Sequence, residues 1–114
     1  MTSKYEHIDN ILVISPEGQL NSGNAAEAEA EILGQLTGGA NRLLLDLSQL
    51  DYISSAGLRV VLVVAKRLKQ SAGQLVLCGM RPHIHDVFDI SGFLNILNVA
   101  ETRELALQRF TPAG

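Results

Sequence analysis

Residues 42–62 read RLLLDLSQLDYISSAGLRVVL, and the hydrophobic period changes partway through this stretch. The segment RLLLDL is almost continuously apolar, which is typical of a parallel strand buried on both faces of its sheet. After the serine pair, apolar residues recur at helical spacing, at Leu58, Val61, Leu62, Ala65 and Leu68. The stretch therefore predicts a strand that ends between Leu47 and Ile53, followed by a helix that begins at or just after Ser55.

The N-terminal segment predicts a β-hairpin. The apolar run Ile11–Ile14 is typical of a strand, and we expect Pro16 and Gly18 to stop it. The preceding residues KYEHID can pair with this strand around a turn at Asp9–Asn10.

The remaining segments alternate between helix and strand patterns. In NSGNAAEAEAEILGQLTGG, Asn24 stands three residues before Glu27, which is the spacing of a capping box, and Gly38–Gly39 ends the predicted helix. QLVLCGM predicts a second buried strand and RPHIHDVFDISG a short helix with its proline near the start. FLNILNVA indicates a final short strand, and ETRELALQRF a last helix with Thr102 or Glu101 near its start.

The resulting order is β-β-α-β-α-β-α-β-α. Strands that alternate with helices imply right-handed crossovers and parallel pairing, and the leading hairpin adds one antiparallel pair. We therefore expect an α/β fold with a mixed, mostly parallel sheet of four to five strands and about four helices. The length of 114 residues is that of one domain, which we place over residues 1–114 with a core at about 4–110.

Composition restricts the functional class. A net charge of −3 argues against a nucleic-acid partner, because such proteins normally carry a basic stripe. The sequence has no apolar run near the about 18 residues that a membrane span requires, so we expect no membrane insertion. The first ten residues, MTSKYEHIDN, have no apolar segment of the secretory type, and we expect a cytoplasmic protein.

The sequence offers no metal site, cofactor motif or catalytic constellation. Cys78 is the single cysteine and reads as a buried, inert thiol. His83 and His85 are two residues apart and would point to different sides of a helix, which makes a poor metal site. Ser55 lacks the G-x-S-x-G setting of a hydrolase nucleophile, and neither common glycine-rich nucleotide loop occurs. We therefore predict no enzymatic activity and no cofactor.

The adjacent serines Ser54 and Ser55 have two physical interpretations. A serine at a helix start can accept a hydrogen bond from a free backbone N–H, and this cap explains one hydroxyl without any function. The start of a helix also favours a phosphate, and the carboxyl edge of a parallel sheet is where open α/β folds place functional groups. Gly57, which lacks a side chain, would let a partner's backbone approach this position closely.

These residues carry a family resemblance. Ser54–Leu58 resembles the helix-start motif D-S-S/T-G-L of STAS domains, and Ala72–Leu75 resembles their G-G-x-L strand motif. Pro82–Phe93 is similar to P-x-V-x-x-x-F-x-x-S-G-L, and EGQLNSGNA to G-x-L-D-x-x-x-A. The motifs occur in the same order over about residues 11–102. The chain thus resembles the STAS domain of bacterial anti-sigma factor antagonists, and the resemblance implies a STAS fold.

The resemblance also implies a mechanism called partner switching. The unmodified protein binds an anti-sigma factor that is also a serine kinase of the GHKL type, and this binding frees the sigma factor. The kinase inactivates the antagonist by phosphorylating one serine, and a serine phosphatase restores it. Aligned on Gly57 and Leu58, the phosphoacceptor is Ser55, with Ser54 as the rival position.

Two positions depart from the family pattern. Ser54 stands where the residue before the phosphoacceptor is usually Asp, and Asn21 stands where Asp usually follows Leu20. Both positions are expected near the acceptor hydroxyl. The loss of two carboxylates makes the pocket less negative, so that it repels a phosphate less.

The helix after the serine pair indicates where a partner docks. Val60 and Val63 are expected on the solvent side, with Arg59, although neighbouring helices could instead cover the two valines. The predicted partner surface around Ser55 comprises Asn21, Ser22, Ser54, Gly57, Leu58, Arg59, Val60 and Val63.

Two other functions stay open. STAS domains also stabilise membrane transport assemblies such as lipid transport ATPases without being phosphorylated, and Ser54 in place of Asp is compatible with that use. A small α/β enzyme is the third possibility, although no catalytic constellation supports it.

Overall fold

The computed structural model describes residues 2–110 of the chain. Six strands and four helices follow one another along these residues. Their bounds are β1 Thr2–Ile8, β2 Ile11–Leu20, α1 Ala25–Thr37, β3 Arg42–Asp46, β4 Leu50–Ile53, α2 Ser55–Gln70, β5 Gln74–Cys78, α3 Pro82–Ile90, β6 Val99–Ala100 and α4 Arg103–Leu107, with a 3₁₀ turn at Phe93–Asn95. The α/β class and the hairpin turn at residues 9–10 are confirmed. The predicted order lacks β4, and of the final strand predicted over FLNILNVA only Val99–Ala100 is extended, because Phe93–Asn95 forms the 3₁₀ turn.

The strands form one mixed sheet in the order β1-β2-β3-β5-β6, and β4 pairs with the second half of β2. Only the β1–β2 pair is antiparallel, and the other four pairs are parallel, as predicted for a mostly parallel sheet. The sheet has one strand more than the sequence indicated, because Leu50–Ile53 forms a strand of its own. Leu50 and Ile53 are buried, whereas the two residues between them are exposed. The strand therefore lacks the alternation of apolar and polar residues by which a half-buried strand is predicted from sequence.

β2 continues through Pro16 and Gly18 to Leu20, so the prediction that these two residues stop it is wrong. The first half of β2 pairs with β3 as far as Ile14, and pairing with β4 begins at Gly18. Pro16 lies between these two ladders, where its missing N–H removes no hydrogen bond of the sheet. Gly18 adopts a φ of 84°, and a register shift at Gly18/Gln19 redirects the strand towards β4.

Both faces of the central strands are buried. Alternate residues of the sheet face two apolar clusters, one under α1, α2 and α3 and a smaller one under α4. In β3, Leu43 and Leu45 belong to the first cluster and Leu44 belongs to the second. The nearly continuous apolar run of β3 therefore reflects burial on both sides, as its sequence predicted.

A polar cluster joins three strands to α4. Arg103, the first residue of α4, donates hydrogen bonds to Asp46 at the end of β3, with Nε to Oδ2 at 3.0 Å, and to Glu6 of β1 at 2.9 Å. Its remaining amino group lies 3.3 Å from the hydroxyl of Ser15 in β2. Asp46 is only 7% exposed and also accepts a hydrogen bond from the backbone N–H of Ser48. These contacts hold the N-terminal hairpin and the last helix to the centre of the sheet.

The capping box predicted for α1 does not form. Asn24 is the N-cap of α1, but its side chain makes no cap hydrogen bond. Instead its Oδ1 accepts from the backbone N–H of Asn21 at 2.9 Å, and its amide nitrogen donates to the carbonyl of Gln19 at 2.8 Å. Asn24 therefore closes the loop between β2 and α1 instead of capping the helix.

Two further predictions concern the membrane and the thiol. Within residues 2–110, no helix combines the length and the apolar character needed to cross a membrane. Cys78 is buried at the end of β5, and burial, with a smaller effect of Asp46, raises the pKa of its thiol to about 12. The prediction that Cys78 is a buried thiol in a strand is confirmed.

Candidate functional site

The serine pair lies at the carboxyl edge of the parallel sheet. β4 ends at Ile53 and α2 begins at Ser55, so Ser54 alone connects strand and helix. The backbone N–H of Ser54 donates to the carbonyl of Leu20, the last residue of β2, at 2.9 Å. This bond fixes the start of α2 against the end of the neighbouring strand.

The two serine hydroxyls have different surroundings. Ser54 has extended backbone angles, and its Oγ accepts a hydrogen bond from the backbone N–H of Gly57 at 3.3 Å. It is half-buried and serves as the N-cap, so one serine caps the helix as expected. Ser55 is exposed, and its side chain makes no hydrogen bond with any residue of the range 2–110. Of the two serines, Ser55 is therefore the one whose hydroxyl is not engaged in a hydrogen bond of the described domain.

The start of α2 provides a positive electrostatic environment for Ser55. The helix runs for 16 residues and has no acidic residue in its first turn, so nothing in that turn neutralises its dipole. Arg59 is exposed and stands four residues after Ser55, which places the two side chains on the same side of the helix. An anionic group on Ser55 would lie near both the helix terminus and this guanidinium.

The β2–α1 loop contributes Asn21 and Ser22 to the same edge. Asn21 follows Leu20, whose carbonyl binds Ser54, so the loop starts beside the serine pair. The side-chain oxygen of Asn21 accepts from the N–H of Gly23 at 2.9 Å. Ser22 is exposed at the tip of this closed loop. The structure thus brings Asn21 and Ser22 next to the start of α2.

Gly57 and Leu58 lie beneath the surface. A Cβ built at Gly57 would stand 2.8 Å from Cγ1 of Ile53 and 2.9 Å from both Cγ and the carbonyl oxygen of Leu20. The expectation that Gly57 leaves room for a partner's backbone is therefore wrong, because the ends of β2 and β4 fill that space. Leu58 is buried in the larger apolar cluster and presents no side chain to a partner.

Val60 does not belong to the exposed partner surface as predicted, and the alternative that neighbouring elements cover it is confirmed. It is 3% exposed and, with Ile32 of α1, lines a small apolar cavity beneath α2. The buried face of α2 differs from the predicted one, because both the sheet and α1 pack against the helix. Leu62 and Ala65, which were predicted to lie on this face, are only partly buried. The buried residues of α2 are Gly57, Leu58, Val60, Val61, Val64 and Leu68. Val63 is half-buried and Arg59 is exposed, so these two side chains do reach the surface.

One neighbouring group was missed by the sequence analysis. Tyr52 in β4 is 49% exposed. Beside it, Arg81 forms an ion pair with Asp51 and donates from Nε to the carbonyl of Ser48 at 3.0 Å. His83 Nε2 donates to the carbonyl of Asp51 at 2.6 Å. These contacts hold the start of α3 against β4. Their only sign in the sequence is the pair Asp51–Tyr52, which interrupts the apolar residues Leu50 and Ile53.

The site contains no metal-binding arrangement in the described part of the chain. Across residues 2–110, no three His, Cys, Asp or Glu side chains are grouped so that they could hold an ion. His83 and His85 are both exposed on α3, and His83 is engaged with the backbone of β4.

The geometry defines an α/β domain that presents one free serine hydroxyl at the start of a helix. Residues 2–106 match the family model of the STAS domain. The chain therefore belongs to the STAS domain family, and the predicted STAS fold is confirmed.

Individual relatives support the same assignment. The chain is 53% identical over 108 residues to BtrV, a candidate anti-sigma factor antagonist of Bordetella bronchiseptica, with 95% of this chain and 93% of that protein covered. A candidate anti-sigma factor antagonist from Thermotoga maritima has a TM-score of 0.89 at 23% identity, covering 93% of this chain and 92% of that one. The phosphorylated Bacillus cell fate determinant SpoIIAA has a TM-score of 0.72 at 25% identity, covering 95% and 98%.

Proposed function

We propose that this protein is an anti-sigma factor antagonist that acts by partner switching in the cytoplasm. In its unphosphorylated form it binds a GHKL-type serine kinase that is also an anti-sigma factor, and the sigma factor is released. The kinase inactivates it by phosphorylating Ser55, and a serine phosphatase reverses the modification. Similarity to proteins named as anti-sigma factor antagonists supports the regulatory role.

The observation that carries the proposal is the difference between the two hydroxyls. Ser54 Oγ accepts the N–H of Gly57, whereas Ser55 is exposed with a free hydroxyl. Phosphorylation of Ser54 would disrupt the cap of α2, and phosphorylation of Ser55 would leave the cap intact. A reversible switch requires a site that can be modified without unfolding the domain, and Ser55 meets this requirement.

The docking surface that we propose contains Asn21, Ser22, Ser54, Ser55, Arg59 and Val63. The buried residues Gly57, Leu58 and Val60 support this surface from below. A phosphate on Ser55 adds about −1.5 to −2 charge at neutral pH. Inside a dry interface the single charge of Arg59 and the start of α2 would offset only part of that charge, and an incompletely paired buried charge strongly opposes binding. Phosphorylation therefore blocks docking while the fold persists.

Asn21 and Ser54 adapt the site to a phosphate. Each replaces an aspartate of the family pattern, so the surroundings of Ser55 carry two fewer negative charges. Asn21 still closes its loop through Gly23, and Ser54 still caps the helix. We infer that reintroducing aspartate, as Asn21→Asp, slows phosphorylation of Ser55 by the repulsion of like charges.

Intact-mass measurement tests the function directly. The protein is incubated with ATP and each GHKL-type kinase of the same cell, beside matched Ser55→Ala and Ser54→Ala variants. The proposal predicts one added phosphate in the wild type and in Ser54→Ala, and none in Ser55→Ala. A phosphate that persists in Ser55→Ala would contradict the assignment of the site. Stable capture of a transport ATPase with no binding to any kinase would instead favour the transport role.

A further inference from the structure

β1 forms an open edge of the sheet. It pairs with β2 on one side, and no strand of the range 2–110 covers its other side. Five of its seven residues are exposed, and Tyr5 is 39% exposed. An edge of this length presents backbone donors and acceptors that another strand can use. We propose that two copies of the chain associate through β1, antiparallel to each other and centred on Tyr5, so that their sheets join.

The register of the hairpin decides which backbone groups face outward. Ile8 stands opposite Ile11 across the two-residue turn, which makes this pair a hydrogen-bonded one. Hydrogen-bonded pairs then alternate along the ladder, and Ser3 stands opposite Pro16 at a position where no bond is formed, as the missing N–H of proline requires. The N–H and C=O groups of Ser3, Tyr5 and His7 therefore point away from β2.

The side chains of β1 are complementary to those of a second copy. If Tyr5 faces Tyr5 of the second copy, Ser3 faces His7, and Lys4 faces Glu6 in both directions. The three outward-facing positions then form about six backbone hydrogen bonds, two for each pair. Lys4 and Glu6 occupy the intervening pairs, where no backbone bonds form and the side chains stand closest. Charges of one sign along an edge strand would repel a second copy of that strand. Here the facing residues Lys4 and Glu6 have opposite charges, so they attract each other.

Existing contacts leave both charged groups able to take part. Lys4 Nζ lies 3.7 Å from Glu17, and its side chain is largely exposed. Glu6 uses Oε1 for Arg103 and keeps its second carboxylate oxygen. The central Tyr5 pair adds aromatic contact across the two-fold axis. The complementarity of this strand to itself is what favours a second copy over a strand from an unrelated protein.

Amide hydrogen exchange at low and high protein concentration tests this association. The amides of Lys4, Glu6 and Ile8 donate to β2 and should be protected at every concentration. The amides of Ser3, Tyr5 and His7 should become protected only as the concentration rises, together with a dimer in sedimentation equilibrium. A monomer at the highest soluble concentration, or a dimer in which the outward amides remain unprotected, would overturn the proposal.

Charge exchange provides the second test. In Lys4→Glu the facing pairs become Glu–Glu, and in Glu6→Lys they become Lys–Lys, so each variant alone should associate about 10- to 30-fold more weakly. An equimolar mixture restores both opposite-charge pairs and should form a heterodimer with the affinity of the wild type. Glu17→Gln is the matched control, because it removes the contact of Lys4 within the chain and should leave association unchanged. Failure of the mixture to associate better than either variant would overturn the proposed register.

Discussion

The close packing around Gly57 allows the site to be tested through stability. Replacement by alanine would place Cβ 2.8 Å from Ile53 Cγ1 and 2.9 Å from the carbonyl oxygen of Leu20, closer than real Cβ contacts allow. That oxygen also accepts the bond from Ser54, so it cannot move without disturbing the start of α2. Overpacking of this kind costs about 1–3 kcal/mol. Alanine loses less conformational entropy than glycine when the helix forms, and this difference offsets about 0.5–1 kcal/mol of that cost. We expect Gly57→Ala to be destabilised by about 1 kcal/mol, the difference between the middle values of these two ranges.

Gly34→Ala is the matched control for this prediction. Gly34 lies within α1, and a Cβ built there meets no atom within 4 Å. Alanine at this position should therefore stabilise the protein by about 0.5–1 kcal/mol. With an m-value of about 1–3 kcal/mol/M, urea unfolding should separate the midpoints of the two variants by about 1 M. Equal midpoints for Gly57→Ala and Gly34→Ala would refute the argument that the strand ends fill the space at Gly57.

Four further variants test the cap, the polar cluster and the thiol. Ser54→Ala should lose about 1 kcal/mol of unfolding free energy with its cap bond, whereas Ser55→Ala should change stability by less than about 0.5 kcal/mol; equal losses in urea titrations would contradict these roles. Arg103→Ala leaves the buried carboxylate of Asp46 without its ion pair and should cost about 1–3 kcal/mol, measured in the same titrations; no loss would show that the cluster is not stabilising. The pKa of Cys78 is raised to about 12, so between about pH 9 and 12 the thiol ionises in the unfolded chain but not in the folded one. The free energy of unfolding should therefore fall with rising pH across this window more steeply in the wild type than in Cys78→Ala. Parallel pH profiles for the two proteins would contradict the burial argument.

The elements predicted with most success have strong local signals. The apolar runs at β3 and β5, Pro82 at the start of α3 and Thr102 before α4 identified these elements correctly. Thr102 caps α4 by accepting the N–H of Leu105, as its sequence position indicated. Such signals depend on residues that are close in sequence.

Most of the errors involve contacts between distant segments. Val60 is buried because α1 packs beside α2, and helical periodicity within α2 does not contain that information. Pro16 remains inside a strand because β2 changes partners on either side of it. Asn24 bonds to Gln19 and Asn21 instead of capping α1, since the loop offers competing partners. For Val60 and Pro16 tertiary context outweighed the local preference, whereas for Asn24 another set of local hydrogen bonds replaced the cap.

The measurement that tests the central claim most directly is the affinity of the cognate kinase for two forms of the protein. Isothermal titration would compare the unmodified chain with the chain phosphorylated on Ser55, with circular dichroism as the control for folding. The proposed mechanism predicts unchanged folding and at least about 100-fold weaker binding of the phosphorylated form, since the phosphate would be buried with only part of its charge offset. Equal affinities of the two forms, with both folded, would contradict a switch at Ser55.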